Sequence, residues 1–124
     1  MLVLDEHRSD VVRTLCELIV PGSARVWPEV YIDALLNRMP DDQRALALGA
    51  VDALEEPAAG GTDALAERQF TPEFMMVRAL ACEAYYSDFV APGAPGPGAW
   101  HEIDFAPPLA ARLDKDWSYL GVTG

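Results

Sequence analysis

The stretch Thr71-Pro-Glu-Phe-Met-Met-Val-Arg-Ala-Leu-Ala-Cys-Glu-Ala-Tyr-Tyr86 decides the fold class. The Thr71 hydroxyl can accept from an exposed amide of a first helical turn, Pro72 suits the first helical position, and Glu73 faces the positive end of the helix dipole. A helix therefore starts at Pro72 and should run to about Tyr86. Phe74, Val77, Leu80, Ala81, Ala84 and Tyr85 spread over a broad apolar arc, which predicts that this helix is the most buried element.

Working back towards the N-terminus, apolar residues keep recurring at three- and four-residue spacing. A first helix is expected over residues 9–20, with Ser9 as its cap and Val11, Val12, Leu15, Leu18 and Ile19 on its apolar side, before Pro21-Gly22 stops it. A second begins near Trp27-Pro28, carries Val30, Tyr31, Ala34, Leu35 and Met39, and ends at Pro40. A third is expected over residues 42–54 with Leu46, Ala50, Val51 and Leu54 on its stripe. The run Glu55-Glu-Pro-Ala-Ala-Gly-Gly61 then breaks the pattern, and Thr62 or Asp63 caps a short helix through residue 68. No stretch alternates convincingly with a period of two and no repeat is present, so the fold class is all-α: a small irregular helical bundle.

Past Ser87 the character changes. Ala91-Pro-Gly-Ala-Pro-Gly-Pro-Gly98 supports neither helix nor sheet and divides a helical part, residues 1–90, from a loop and extended aromatic-rich tail, residues 91–124. The tail carries Trp100, Ile103, Phe105, Leu109, Leu113, Trp117, Tyr119 and Leu120, with at most a short helix over residues 108–114. Aromatic groups are enriched in interface cores, so the tail either folds back on this chain or lies on a partner. The segment 98–105 is expected to be extended.

The composition is that of a globular domain: 124 residues, 51% hydrophobic and 23% charged. Nine Lys and Arg against twenty Asp and Glu give a formal net charge of −11, which repels a phosphate backbone and makes nucleic acid a poor partner. The same charge favours solubility or a basic partner. No basic region leads into an apolar run at Met1, and no run approaches the roughly 20 residues of a membrane span, so a soluble cytoplasmic chain is expected. Cys16 and Cys82 fall in apolar helical contexts and read as small core residues, a single bridge between them being the alternative.

Residues that carry chemistry are scarce. His7 and His101 have no metal-ligand spacing around them, Glu-x-x-His is absent, and the Gly60-Gly61 and 93–98 glycines lack the strand and helix that flank a phosphate cradle. Asp41-Asp42 and Glu55-Glu56 lie at helix ends, where capping explains them. No catalytic, cofactor-binding or metal-ligating residue is assigned.

Four pieces stand in order: Leu15-Cys-Glu-Leu-Ile-Val-Pro-Gly-Ser23, Tyr31-Ile-Asp-Ala-Leu-Leu36, Glu83-Ala-Tyr-Tyr-Ser-Asp88 and Ala99-Trp-His-Glu-Ile-Asp-Phe105. Together they resemble the gluconate 2-dehydrogenase subunit 3 family. The resemblance implies a small subunit without a redox centre that stabilises a large flavoprotein of the glucose-methanol-choline oxidoreductase type, in which FAD oxidises a sugar or sugar acid. In exported members the small subunit also supplies the export signal, which Met1 and its neighbours do not resemble. Similar proteins include subunits of glycoside 3-dehydrogenases, and glycoside 3-oxidation is the preferred substrate class. Tyr85, Tyr86, Trp100, His101, Ile103, Phe105 and Trp117 are the expected partner-binding residues. The competing readings are a stand-alone helical enzyme or metal-binding bundle, and a regulatory helical adaptor.

Interface energy concentrates in a few large residues, so Trp100→Ala is expected to weaken association with the large subunit by about 2 kcal/mol, roughly thirtyfold. Titration of the large subunit with the wild-type chain, this variant and a chain cut after Pro97 measures it. Equal binding by the truncated chain would move the partner surface onto the helices.

Overall fold

The computed structural model describes residues 1–102, and these are helical with no strand among them. Helix α1 spans Glu6–Ile19, α2 Pro28–Arg38, α3 Asp41–Ala59, α4 Thr62–Ala66, α5 Pro72–Tyr86 and the single turn α6 Ala99–Glu102, with a 3-10 turn at Ser23–Val26. Helix α5 begins where its cap signals place it: the Thr71 hydroxyl accepts from the Phe74 amide at 3.2 Å and donates to the Arg68 carbonyl at 2.7 Å. Ile103, Phe105, Trp117 and the helix expected over 108–114 lie outside the described residues.

Helix α4 stops at Ala66, short of residue 68, and Gly61 stands at its N-cap in place of Thr62 or Asp63; three further differences from the sequence expectation are larger. Helix α1 starts earlier because Asp5, not Ser9, is the cap: its carboxylate accepts from the Arg8 amide at 2.7 Å, and Glu6 adds negative charge to the first turn. Helix α3 runs past residue 54 to Ala59, straight through Pro57. A proline there deletes one amide donor, but the last turn buries Leu54, Pro57 and Ala58, and Gly60 and Gly61 close it by donating to the Pro57 and Ala58 carbonyls. The third difference is α6, a helical turn at residues 99–102 where an extended segment was expected.

Helix α5 packs most extensively on α3, and α1 lies against both α2 and α3. The core joins Val12, Leu15 and Cys16 of α1 to Ile32 and Leu36 of α2, Val51 and Leu54 of α3, and Val77 and Tyr85 of α5. Ala47 and Ala50 of α3 and Ala81 and Ala84 of α5 are all buried, and small side chains of this kind let two helices approach closely. Leu46, expected on the α3 stripe, is 65% exposed; Ala47 takes the core position, in step with Ala50, Val51 and Leu54.

The most buried helix is α2 rather than α5. Seven of its eleven residues are buried, against five of fifteen in α5. Two of the α2 seven, Glu29 and Asp33, are acids, each matched by a specific partner. Asp33 holds the N-terminal segment: its carboxylate accepts from the amides of Leu2, Val3 and Leu4 at 2.8 to 2.9 Å. Glu29, fully buried, meets the Arg13 guanidinium of α1, which also lies 5.9 Å from the Trp27 ring centre. Across the gap to α3, Arg44 reaches back and donates to the carbonyls of Leu36, Asn37 and Met39 at the end of α2, the first of which also accepts the Met39 amide at 3.2 Å.

Asp33→Ala removes the acceptor of three amides at once. The expected loss is about 2 to 3 kcal/mol of unfolding free energy, together with faster hydrogen exchange at the Leu4 amide, both read from denaturant titration and exchange on the purified chain.

Candidate interaction surface

The C-terminal end of α5 is where the distant pieces of the sequence meet. The chain leaves the helix at Ser87 and turns through Asp88, which has a left-handed backbone (φ 63°) and is buried. Its carboxylate accepts from the Trp100 amide at 3.1 Å, while the Trp100 indole donates to the Tyr86 carbonyl at 3.2 Å. A Cβ at Gly98 would stand 2.2 Å from the Asp88 carboxylate, so only glycine allows the tail to pass so close. Phe89 is fully buried and meets the Tyr31 ring edge-on at 5.3 Å.

Arg25, in the 3-10 turn, ties this end together. Its guanidinium donates to the Tyr85 hydroxyl and to the Pro97 carbonyl at 2.9 Å, and lies 5.6 Å from the Tyr85 ring centre. The backbone takes part as well: Gly96 donates to the Arg25 carbonyl at 3.0 Å and Ala91 to the Val26 carbonyl at 3.1 Å. The 3-10 turn is itself fixed from α1, where the Glu17 carboxylate accepts from the Gly22 and Ala24 amides at 2.7 and 3.0 Å. The proline-glycine loop is thus laid along the 3-10 turn, with Ala91 and Ala99 buried at its two ends.

Of the expected partner-binding residues, Tyr85 is buried with its hydroxyl engaged by Arg25, and Trp100 is half-buried against its own chain. Tyr86 is 54% exposed, its ring edge-on to Tyr85 at 5.2 Å. His101 belongs to the α6 turn. Arg25, Arg13, Glu17 and Glu29 were missed by sequence reasoning, although one signal was available. Glu29 and Asp33 fall in step with Ile32 and Leu36 on the apolar side of α2, where a charge needs a partner.

The remaining titratable groups lie apart. His7 is exposed and bonded to Glu55 at 2.7 Å, and that bond and charge hold its imidazole above the ordinary histidine value. Cys16 and Cys82 are both free thiols; burial pushes the Cys16 thiol well up, while Cys82 is only half-buried at the surface of α5. Among the described residues no group of three or more His, Cys, Asp and Glu could hold a metal ion, and no helix is long and apolar enough to cross a membrane.

What α5 does present is apolar surface flanked by grooves. On one side a groove of about 690 Å³ is lined by Leu35, Met39, Leu46, Met76 and Leu80. On the other, two depressions that share Ile19 and Arg78 run from Phe70 and Met75 to Cys82 and Tyr86. Phe70 is 87% exposed and Met75 60%. Exposed large apolar groups gathered along one helix mark an interaction surface.

Gly98→Ala forces the Asp88 carboxylate away from the Trp100 amide. The expected result is a loss of about 2 kcal/mol in stability and faster proteolysis within residues 91–98, measured against Pro95→Ala as the control. No family model, curated protein or solved structure matches this chain.

Proposed function

We propose that this chain is the non-catalytic small subunit of a large FAD-dependent dehydrogenase or oxidase of the glucose-methanol-choline type, acting on sugars or glycosides, with oxidation at the glycoside 3-position preferred and the cytoplasm as its compartment. The observation that carries this reading is the convergence of the quoted pieces. Glu17 fixes the turn that presents Arg25, Arg25 bonds Tyr85, Tyr31 packs on Phe89, and Trp100 bonds Asp88 and Tyr86. Residues that carry the resemblance are therefore bonded to each other or to their immediate neighbours, although far apart in sequence.

In this reading FAD belongs to the large subunit. The glycine-rich loop of this chain is ill suited to a flavin pyrophosphate, because its Ala91 and Gly96 amides are already given to the Val26 and Arg25 carbonyls and the Asp88 carboxylate lies against Gly98. The work left to the chain is to cover apolar surface of the large subunit and so stabilise its folded form by mass action. The apolar groove lined by Leu35, Met39, Leu46 and Met76 is suited to such a contact.

The test is to tag the chain in its native cells and identify what co-purifies in stoichiometric amount. The expected result is a flavoprotein with FAD absorbance and sugar-dependent dye reduction, both retained by the large subunit and neither shown by the small chain alone. Flavin binding or turnover by the isolated chain, or recovery with no flavoprotein, would overturn the proposal.

A further inference from the structure

The outward face of α5 has a pattern that the core does not use. Met75, Ala79 and Tyr86 are exposed and Cys82 is half-buried, and these positions succeed one another by steps of four, three and four residues. Such spacing lines one side of a helix with a seam suited to a second helix. Arg78 directly precedes the seam residue Ala79, and Glu83 directly follows the seam residue Cys82. Both charged residues are exposed, and neither forms an ion pair among the described residues.

That placement selects one geometry. When two identical helices run parallel and in register, the residue before a seam position on one faces the residue five places further along on the other. Arg78 and Glu83 are separated by that interval. An antiparallel pair would bring like flanks together, setting Arg78 beside the same residue of the other copy. The small Ala79 and Cys82 at the middle of the seam allow close approach, with Met75 and Tyr86 supplying bulk at its ends.

We infer that α5 pairs in parallel and in register with α5 of a second copy of this chain, with Met75, Ala79, Cys82 and Tyr86 along the seam and Arg78 of each copy bonded to the partner's Glu83. The pairing is independent of the accessory-subunit reading and is compatible with a large subunit seated elsewhere.

Sedimentation of the purified full chain and cross-linking through Cys82 with a short bismaleimide test it; the buried Cys16 thiol does not compete. The expected results are a concentration-dependent dimer and a covalent dimer of this chain that disappears in Cys82→Ser. Arg78→Glu or Glu83→Arg alone should weaken self-association roughly tenfold, because each creates two like-charge contacts, and the double reversal should restore it. Cross-linking in intact cells repeats the measurement on the chain with whatever accompanies it. A monomer with no Cys82 cross-link to a second copy, a cross-link to a different protein, or no rescue by the double reversal would each overturn the inference. A Cys82 cross-link to a flavoprotein would overturn the pairing while supporting the accessory-subunit reading; the other outcomes leave co-purification of a flavoprotein, the separate test of that reading, untouched.

Discussion

The position of Arg25 is the constraint on which the described C-terminal part of the structure depends. One guanidinium reaches the hydroxyl and ring of Tyr85 and the carbonyl of Pro97, and the same residue's carbonyl receives the Gly96 amide. A five-donor planar group is needed to serve partners in several directions, which a lysine does not do. Arg25 in turn stays in place because Glu17 clamps the turn before it and because Trp27 and Pro28 restart the helix after it.

The overall acidity divides into two populations when the partners are traced. Buried Glu29 is paired with the surface guanidinium of Arg13, and Glu17, Asp33 and Asp88 accept backbone amides of irregular segments. These acids substitute for the regular hydrogen bonding that turns and loops lack. Glu6, Asp10, Glu56, Asp63 and Glu73 stand exposed on helix surfaces and are the part of the net charge that acts on the surroundings. A sum over the sequence cannot separate the two groups, because the difference lies in where each backbone amide happens to point.

Much of the helical scheme was legible because its signals are local. Thr71-Pro72 fixed the start of α5, and Pro28 and Pro40 bracketed α2, through constraints on neighbouring backbone atoms. The errors arose where tertiary contacts prevailed over a local rule. Pro57 ended α3 on paper but is carried through by burial of its turn, and Ser9 was a sound cap displaced by an equally sound Asp5 one turn earlier. Helix α5 was expected to be the most buried because it is apolar on most sides, and it is instead a helix whose excess apolar surface faces outward. At the candidate surface, Tyr85, Tyr86 and Trp100 were identifiable as large groups near a turn. Their partner Arg25 was not, since a pair sixty residues apart leaves no periodic trace.

The hydrogen bonds between residues 25–26 and the 91–97 loop also order events in time. Synthesis delivers α1, α2 and the 3-10 turn long before the loop that locks them, so the emerging chain holds its early helices together without the Arg25 joint. Contacts of this sequence separation make folding slow and leave apolar surface transiently open. A late segment thus closes an early one, and a nascent chain arrested before Ala91 would carry a largely assembled core with this fastening still unmade.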